Sequence, residues 1–169
     1  MIKQNQEWFK MSHKISQPYL ITTLLLMLIL PVVSILVEFI ISNVSNILAL
    51  IGTWFLFWSV GMRLFTAGLY QVAKPTFTLQ SIFHINNIES SVIVRELGFA
   101  NICSGLLCIS SLFIPSWRLP AAFVGGLFFG IAGIQHVVKG PVSSNEKIPM
   151  ATNIVVFLIM VLFILSYIF

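Results

Sequence analysis

The sequence predicts an all-α membrane protein, a bundle of five transmembrane helices, and three observations support this fold class. Hydrophobic residues make up 58% of the 169 residues and charged residues only 8%, and the mean hydropathy is +1.00. Because a soluble domain has about 25% charged residues, this chain could not cover a water-facing surface. The composition therefore excludes a soluble enzyme, a disordered chain and a free nucleic-acid-binding protein, and it indicates the lipid bilayer as the surroundings.

The third observation is a set of long apolar runs, since a helix needs about 20 apolar residues to cross a bilayer. The runs show no sustained alternation of apolar and polar residues, which the strands of a membrane barrel would require. The five predicted spans are 19–42, 47–72, 92–115, 119–138 and 148–169. They leave no stretch long enough for a soluble domain, so we predict a single integral membrane domain over residues 1–169.

Proline marks the ends of the predicted spans, where a missing N–H group costs least. Pro31 is the exception, because it lies inside the first span. We expect it to kink this helix and to leave the carbonyl near Met27 without its usual partner. The first span is longer than the apolar part of a signal peptide and no A-x-A-like cleavage site follows it, so we interpret it as an uncleaved anchor.

The distribution of basic residues predicts the orientation of the chain, because short cytoplasmic loops are enriched in Lys and Arg. If the N-terminus is cytoplasmic, Arg118 alone lies on the far side, and Arg63 lies within a span. The other seven basic residues then lie at the cytoplasmic side: Lys3, Lys10, Lys14, Lys74, Arg95, Lys139 and Lys147. We therefore predict that the N-terminus is inside and the C-terminus outside.

Two segments lie outside the spans. Residues 1–18 place Trp8, Met11 and Ile15 at helical spacing among basic residues, which predicts a short helix in the membrane interface. Residues 76–91 mix apolar and polar side chains. This second segment either lies on the membrane surface or dips back into it, and both alternatives remain open.

No sequence motif points to a metal, a cofactor or a nucleotide. The chain has no Asp, and CxxC, HExxH, GxGxxG, Walker and EF-hand patterns are absent. Cys103 and Cys108 are five residues apart, which places them about 140° apart around one helix. We therefore predict no metal site and no cofactor, and we expect the bilayer, a partner membrane protein or a second copy as partners, not nucleic acid.

Polar side chains within the spans are the candidate functional residues, because ionisable groups in a bilayer are costly and usually pair or act. Arg63 and Asn101 each lie nine residues from the predicted cytoplasmic end of a span, which corresponds to about 13 Å of helix. Glu96 and His136 lie nearer that end. Arg63 also belongs to a polar stripe on the second span. The proposed members of the cytoplasmic-side group are Arg63, Glu96, Asn101, Gln135 and His136, with Tyr70 on the polar stripe.

This group has a structural and a chemical interpretation. In the first, Arg63 and Glu96 form an ion pair that fixes helix register, and Asn101 joins two helices. In the second, Glu96 and His136 form a catalytic acid–base or proton-relay pair beside a cavity. Small residues at helical spacing, Ala122, Gly126, Gly130 and Gly133, predict that the second, third and fourth spans pack closely around the group.

Two sequence segments carry a resemblance to a known family. They are Arg95-Glu96-Leu97-Gly98-Phe99-Ala100-Asn101, followed by Gly105 and Arg118, and Gly130-Ile131-Ala132-Gly133-Ile134-Gln135-His136. They resemble a small bacterial membrane-protein family of unknown function with an E-x-G-x-A-N segment, similar in size and layout to the DoxX-like proteins. The resemblance covers about residues 55–140. It implies a four-helix DoxX-like core plus one helix in the bacterial cytoplasmic (inner) membrane, and for some relatives an accessory role in quinone-coupled oxidation.

Three functions remain open from the sequence. The first, which we favour, is a structural, accessory or lipid-binding bundle. The second is a membrane enzyme or redox-linked subunit that uses Glu96 and His136, so whether the protein is an enzyme stays undecided. The third is a small transporter of ions or polar solutes, in which Arg63 and Asn101 line the path.

Overall fold

The computed structural model describes residues 17–81, 87–139 and 144–168, and all regular structure in these residues is helical. Each of the first two long helices contains a π-helical stretch, and 3-10 turns at Ile88–Ser90 and Pro115–Trp117 precede two others. The helices are α1 (Gln17–Leu24, π-helical Leu25–Ile29, Leu30–Ile41), α2 (Ile47–Phe55, π-helical Leu56–Met62, Arg63–Ala73), the short α3 (Pro75–Ser81), α4 (Ser91–Ser110), α5 (Arg118–Lys139) and α6 (Ser144–Ile168).

Five of these helices are long and apolar enough to cross a membrane, which confirms the prediction of five such helices. They are Leu20–Ile41, Ile47–Ala73, Ile88–Ser110, Pro115–Lys139 and Met150–Ile168. We call the end of the bundle with the 42–46 loop and the Pro115–Trp117 turn the Asn46 end. The opposite end, where α2 finishes before Lys74, is the Lys74 end.

The two segments predicted outside the spans are only partly described. The predicted interfacial segment 1–18 lies outside the described residues, except for Gln17 and Pro18, which begin α1. In segment 76–91, the residues as far as Ser81 form most of α3, which packs against α4. Thr78 and Leu79 are almost completely buried, so this part of the segment belongs to the packed bundle.

Helix α2 lies at the centre of the bundle and contacts α1, α4, α5 and α6. Leu56 and Val60 in its middle are fully buried, and they belong to one core cluster that also contains Met160 and Phe163 from α6. Helix α1 is the least buried of the five spanning helices. The interior therefore forms around α2, while most of the perimeter of α1 faces outward.

Glycines bring the backbones of α2 and α4 into direct contact at two levels. A Cβ added to Gly68 would lie 2.6 Å from the carbonyl oxygen of Gly98, and one added to Gly105 would lie 2.6 Å from the Phe65 nitrogen. Gly98 and Gly105 lie seven residues apart on α4, and both face α2. No larger residue fits there without separating the two helices.

The small-residue stripe of α5 faces a different neighbour from the one predicted. Gly126 lies against Met160, Gly130 against Phe157 and Gly133 against Ile154, all of α6. The expectation that this stripe draws α5 onto α2 and α4 was therefore wrong. The contact of α5 with α2 instead uses Gly125, which lies against Val60.

Pro31 leaves one carbonyl of α1 without its helical partner, as predicted, but this carbonyl belongs to Leu26 and not to Met27. Ahead of Pro31 the helix widens into the π-helical stretch Leu25–Ile29, in which the Leu30 N–H donates to the Leu25 carbonyl. In that register residue 31 would pair with Leu26, and proline has no N–H to donate. The Leu26 carbonyl instead accepts a hydrogen bond from Ser59 Oγ of α2 at 3.3 Å.

Candidate functional site

Two tryptophans of α2 hold α1 through their indole N–H groups. Trp54 Nε1 donates to Glu38 Oε2 at 2.6 Å, and Trp58 Nε1 donates to Ser34 Oγ at 3.0 Å. The donors are four residues apart on α2 and the acceptors four apart on α1, so the antiparallel helices meet at two successive turns. Ser34 was not among the predicted residues, although its four-residue spacing from Glu38 equals that of the two tryptophans.

Arg63, the predicted intramembrane cation, lies between α1 and α5. Its Nη1 is 2.9 Å from Met27 Sδ, a weak acceptor on α1. Its guanidinium carbon lies 4.9 Å from the ring centroid of Phe129 on α5, a distance typical of a cation–π contact. Arg63 therefore connects three helices partly through polarisable, uncharged groups.

Asn101 joins α4 to α2, as the structural interpretation predicted. Its Nδ2 donates to Gln71 Oε1 at 2.8 Å, and Asn101 itself is buried. Gln71 was not among the predicted residues, since the polar stripe predicted on this helix included the neighbouring Tyr70 instead. Tyr70 is exposed and packs edge-on against Phe77 of α3, with their ring centroids 5.5 Å apart.

The remaining predicted residues do not assemble around Arg63. Within residues 17–81, 87–139 and 144–168, no hydrogen bond or ion pair joins Glu96 to Arg63 or to His136, so the expected Arg63–Glu96 ion pair does not form. Glu96 and Gln135 are exposed and His136 is half-buried. The catalytic role of Glu96 and His136 and the ligand-binding roles of Arg63, Asn101, Gln135 and Tyr70 stay predictions.

A polar pocket opens at the Asn46 end, where the loop between α1 and α2 faces the start of α5. Its volume is about 460 Å³. Two opposite charges line it, Glu38 from the last turns of α1 and Arg118 from the first residue of α5. The other lining residues come from the 42–46 loop, α2 and the turn after α4: Ser42, Asn43, Val44, Ser45, Asn46, Ala49, Leu50, Thr53 and Leu112.

The local sequence explains how this pocket is built. Asn46 ends the loop by accepting a hydrogen bond from the Ala49 N–H with its side chain at 3.0 Å, which caps the first turn of α2. Arg118 is held by a hydrogen bond from Nε to the Ser111 carbonyl at 3.4 Å. Glu38 and Arg118 therefore line one cavity, although they are 80 residues apart in the sequence.

Comparison with known proteins shows the family of the chain. A family model matches residues 19–169, which include all five spanning helices. The chain belongs to the family of unknown function DUF6790. The DUF6790 match includes all residues that line the Asn46-end pocket. No curated protein and no solved structure matches the chain.

The described residues of this DUF6790 member contain no cluster of side chains that could form a metal site. Among those residues, no three His, Cys, Asp or Glu side chains lie close enough together to hold a metal ion. The exposed Cys103 and the buried Cys108 are both free thiols.

Proposed function

We propose that this multi-pass membrane protein is a non-catalytic bundle that binds lipid, with the Asn46-end pocket as its headgroup site. The observation that carries the proposal is the position of the pocket. Two charged residues line it at the level where the spanning helices end, next to the outward-facing end of α1.

An apolar surface adjoins the polar pocket. Val33, Leu36 and Val37 precede Glu38 in α1, towards the middle of the spanning helix, and all three are exposed, with 54% of Leu36 accessible. A lipid placed there would put its headgroup against Glu38 and Arg118 and its acyl chains along this apolar surface. An amphiphile is therefore the ligand class that uses both features.

The polar contacts inside the bundle support a binding role over a chemical one. Glu38 and Ser34 accept from tryptophans, Asn101 donates to Gln71, and Arg63 contacts Met27. Each of these contacts crosses between two helices. Side chains used in this way stabilise the bundle, which favours the accessory or lipid-binding function over acid–base chemistry.

A pair of serine substitutions tests the lipid site. We expect Ser45→Trp to fill the pocket, since Ser45 lines it, and to remove most of the lipid that stays bound through purification in a mild detergent. Ser116→Trp is the matched control, because Ser116 is also exposed at the Asn46 end but does not line the pocket. Native mass spectrometry counts the retained lipid, and equal retention in the two variants contradicts the proposal.

The resemblance to DoxX-like proteins suggests two further features. We propose a location in the bacterial inner membrane, and an accessory association with a membrane partner or a second copy along α1. Support for the association comes from α1, which is the most apolar and the least buried of the five spanning helices.

A further inference from the structure

Glu38 and Arg118 line one pocket without neutralising each other. They come from different helices, and no ion pair joins them among the contacts of the described residues. Opposite charges that share a small cavity near a membrane would gain by direct pairing. Their separation leaves room between them for a molecule that carries both charges.

Each of the two side chains uses only part of its hydrogen-bonding capacity within the described residues. Trp54 donates to Oε2 of Glu38, and this hydrogen bond fixes the orientation of the carboxylate while Oε1 makes no hydrogen bond within the described chain. Arg118 uses Nε for the Ser111 carbonyl, and its two terminal amino groups make no hydrogen bond in the same residues. A carboxylate oxygen and two N–H-bearing nitrogens are thus oriented but unused.

We propose that this pocket selects a zwitterion that combines a primary ammonium with a phosphate ester, which is the headgroup chemistry of an aminophospholipid. The ammonium would donate to Glu38, and the phosphate would accept from the fork of Arg118. Neutral donors and acceptors on the remaining wall, Ser42, Ser45 and Asn46 among them, suit the rest of a polar headgroup. This inference rests on the proposed lipid-binding function and names its ligand class.

The two charges make different demands on the ligand. Phosphatidylcholine offers the same phosphate, but its quaternary ammonium has no N–H to donate to a carboxylate. Phosphatidylglycerol has the phosphate and no cation, so Glu38 would repel it. The site therefore favours phosphatidylethanolamine over both, by at least about tenfold for a lost hydrogen bond between charged groups.

Lipid titration of the delipidated full chain, followed by native mass spectrometry, tests the assignment. The three lipids carry identical acyl chains, and glycerophosphoethanolamine is titrated separately to distinguish a soluble ligand from a lipid. We expect Glu38→Gln to abolish the preference for phosphatidylethanolamine over phosphatidylcholine. We expect Arg118→Gln to weaken all three lipids by about tenfold, and Arg118→Lys to recover part of that loss.

Controls separate headgroup recognition from folding. The amide oxygen of Glu38→Gln can still accept from Trp54, so its melting temperature should stay close to that of the unmodified protein. Glu89→Gln and Arg95→Gln change exposed charges at the Lys74 end and should leave all three affinities unchanged. Tight binding of the phosphoethanolamine ester without acyl chains supports the zwitterion site and assigns it a soluble ligand.

Three results would overturn the inference, and they are distinguishable from one another. A preference for phosphatidylethanolamine that survives Glu38→Gln refutes the role of this carboxylate. Equal affinity of the unmodified protein for all three lipids refutes headgroup selection but leaves lipid binding in place. Binding of none of these ligands refutes the site and the proposed lipid-binding function together.

Discussion

At the scale of single residues, the bundle satisfies its polar groups in pairs that cross between helices. An indole N–H within the bilayer has no water to donate to, so it must find an acceptor on a neighbouring helix. Trp54 and Trp58 find theirs on α1. The polar side chains of these helices therefore form separate interhelical hydrogen bonds. These bonds are distributed along α2 and do not form one cluster.

The contact between Ser59 and the Leu26 carbonyl gives a prediction about Pro31. Ser59 is fully buried, and its hydroxyl supplies a donor where Pro31 has no N–H. We expect Ser59→Ala to lower the free energy of unfolding by about 0.6–1.7 kcal/mol, the range for interhelical hydrogen bonds in membranes. In a Pro31→Ala background, the new N–H at residue 31 can donate to the Leu26 carbonyl. The loss of stability caused by Ser59→Ala should then fall towards zero.

Unfolding of the four proteins of this cycle by increasing SDS in mixed micelles measures both values. Thr66→Ala serves as the control, because within the described residues the Thr66 hydroxyl donates only to carbonyls of its own helix. If Ser59→Ala costs the same with and without Pro31, the hydroxyl does not compensate for the proline.

At the scale of helices, the two glycine-lined contacts differ in what opposes each glycine. Between α2 and α4, backbone faces backbone, as at Gly105 and Phe65. Between α5 and α6, a side chain such as that of Ile154 fills the notch opposite Gly133. A backbone cannot move without shifting a whole helix, whereas a side chain can change its rotamer. The first contact should therefore tolerate added volume much less well.

Alanine substitutions at the two contacts test this difference. A Cβ on Gly105 would lie 2.6 Å from the Phe65 nitrogen, and one on Gly133 would lie 3.1 Å from Ile154 Cγ1. We expect Gly105→Ala to destabilise the protein by about 1–3 kcal/mol, as overpacking commonly does. Gly133→Ala should stay within about 1 kcal/mol of the unmodified protein, because alanine also favours the helix. If SDS unfolding shows that the two variants lose the same free energy of unfolding, both contacts tolerate added volume equally and the prediction is wrong.

At the scale of the whole molecule, the sequence predicted the spans well because the bilayer itself imposes their length and polarity. The rotation of each helix about its axis has no such constraint. Arg63 and Glu96 were matched by depth, but Arg63 faces α1 and α5 while Glu96 is exposed on α4. Depth follows from counting residues, whereas direction depends on neighbours such as Gly68 and Gly98 that set the contact face.

The orientation of the bundle is the remaining large-scale prediction, and it decides which leaflet the Asn46-end pocket faces. Seven basic residues at one side against Arg118 at the other predict that the Asn46 end is outside the cytoplasm. In a Cys103→Ser background, in which Cys108 is fully buried, we expect a membrane-impermeant maleimide to label Ser45→Cys in intact cells. Asn87→Cys, exposed at the Lys74 end, should react only after the cells are lysed. The opposite pattern would place Arg118 and the pocket at the cytoplasmic leaflet and contradict the charge rule for this chain.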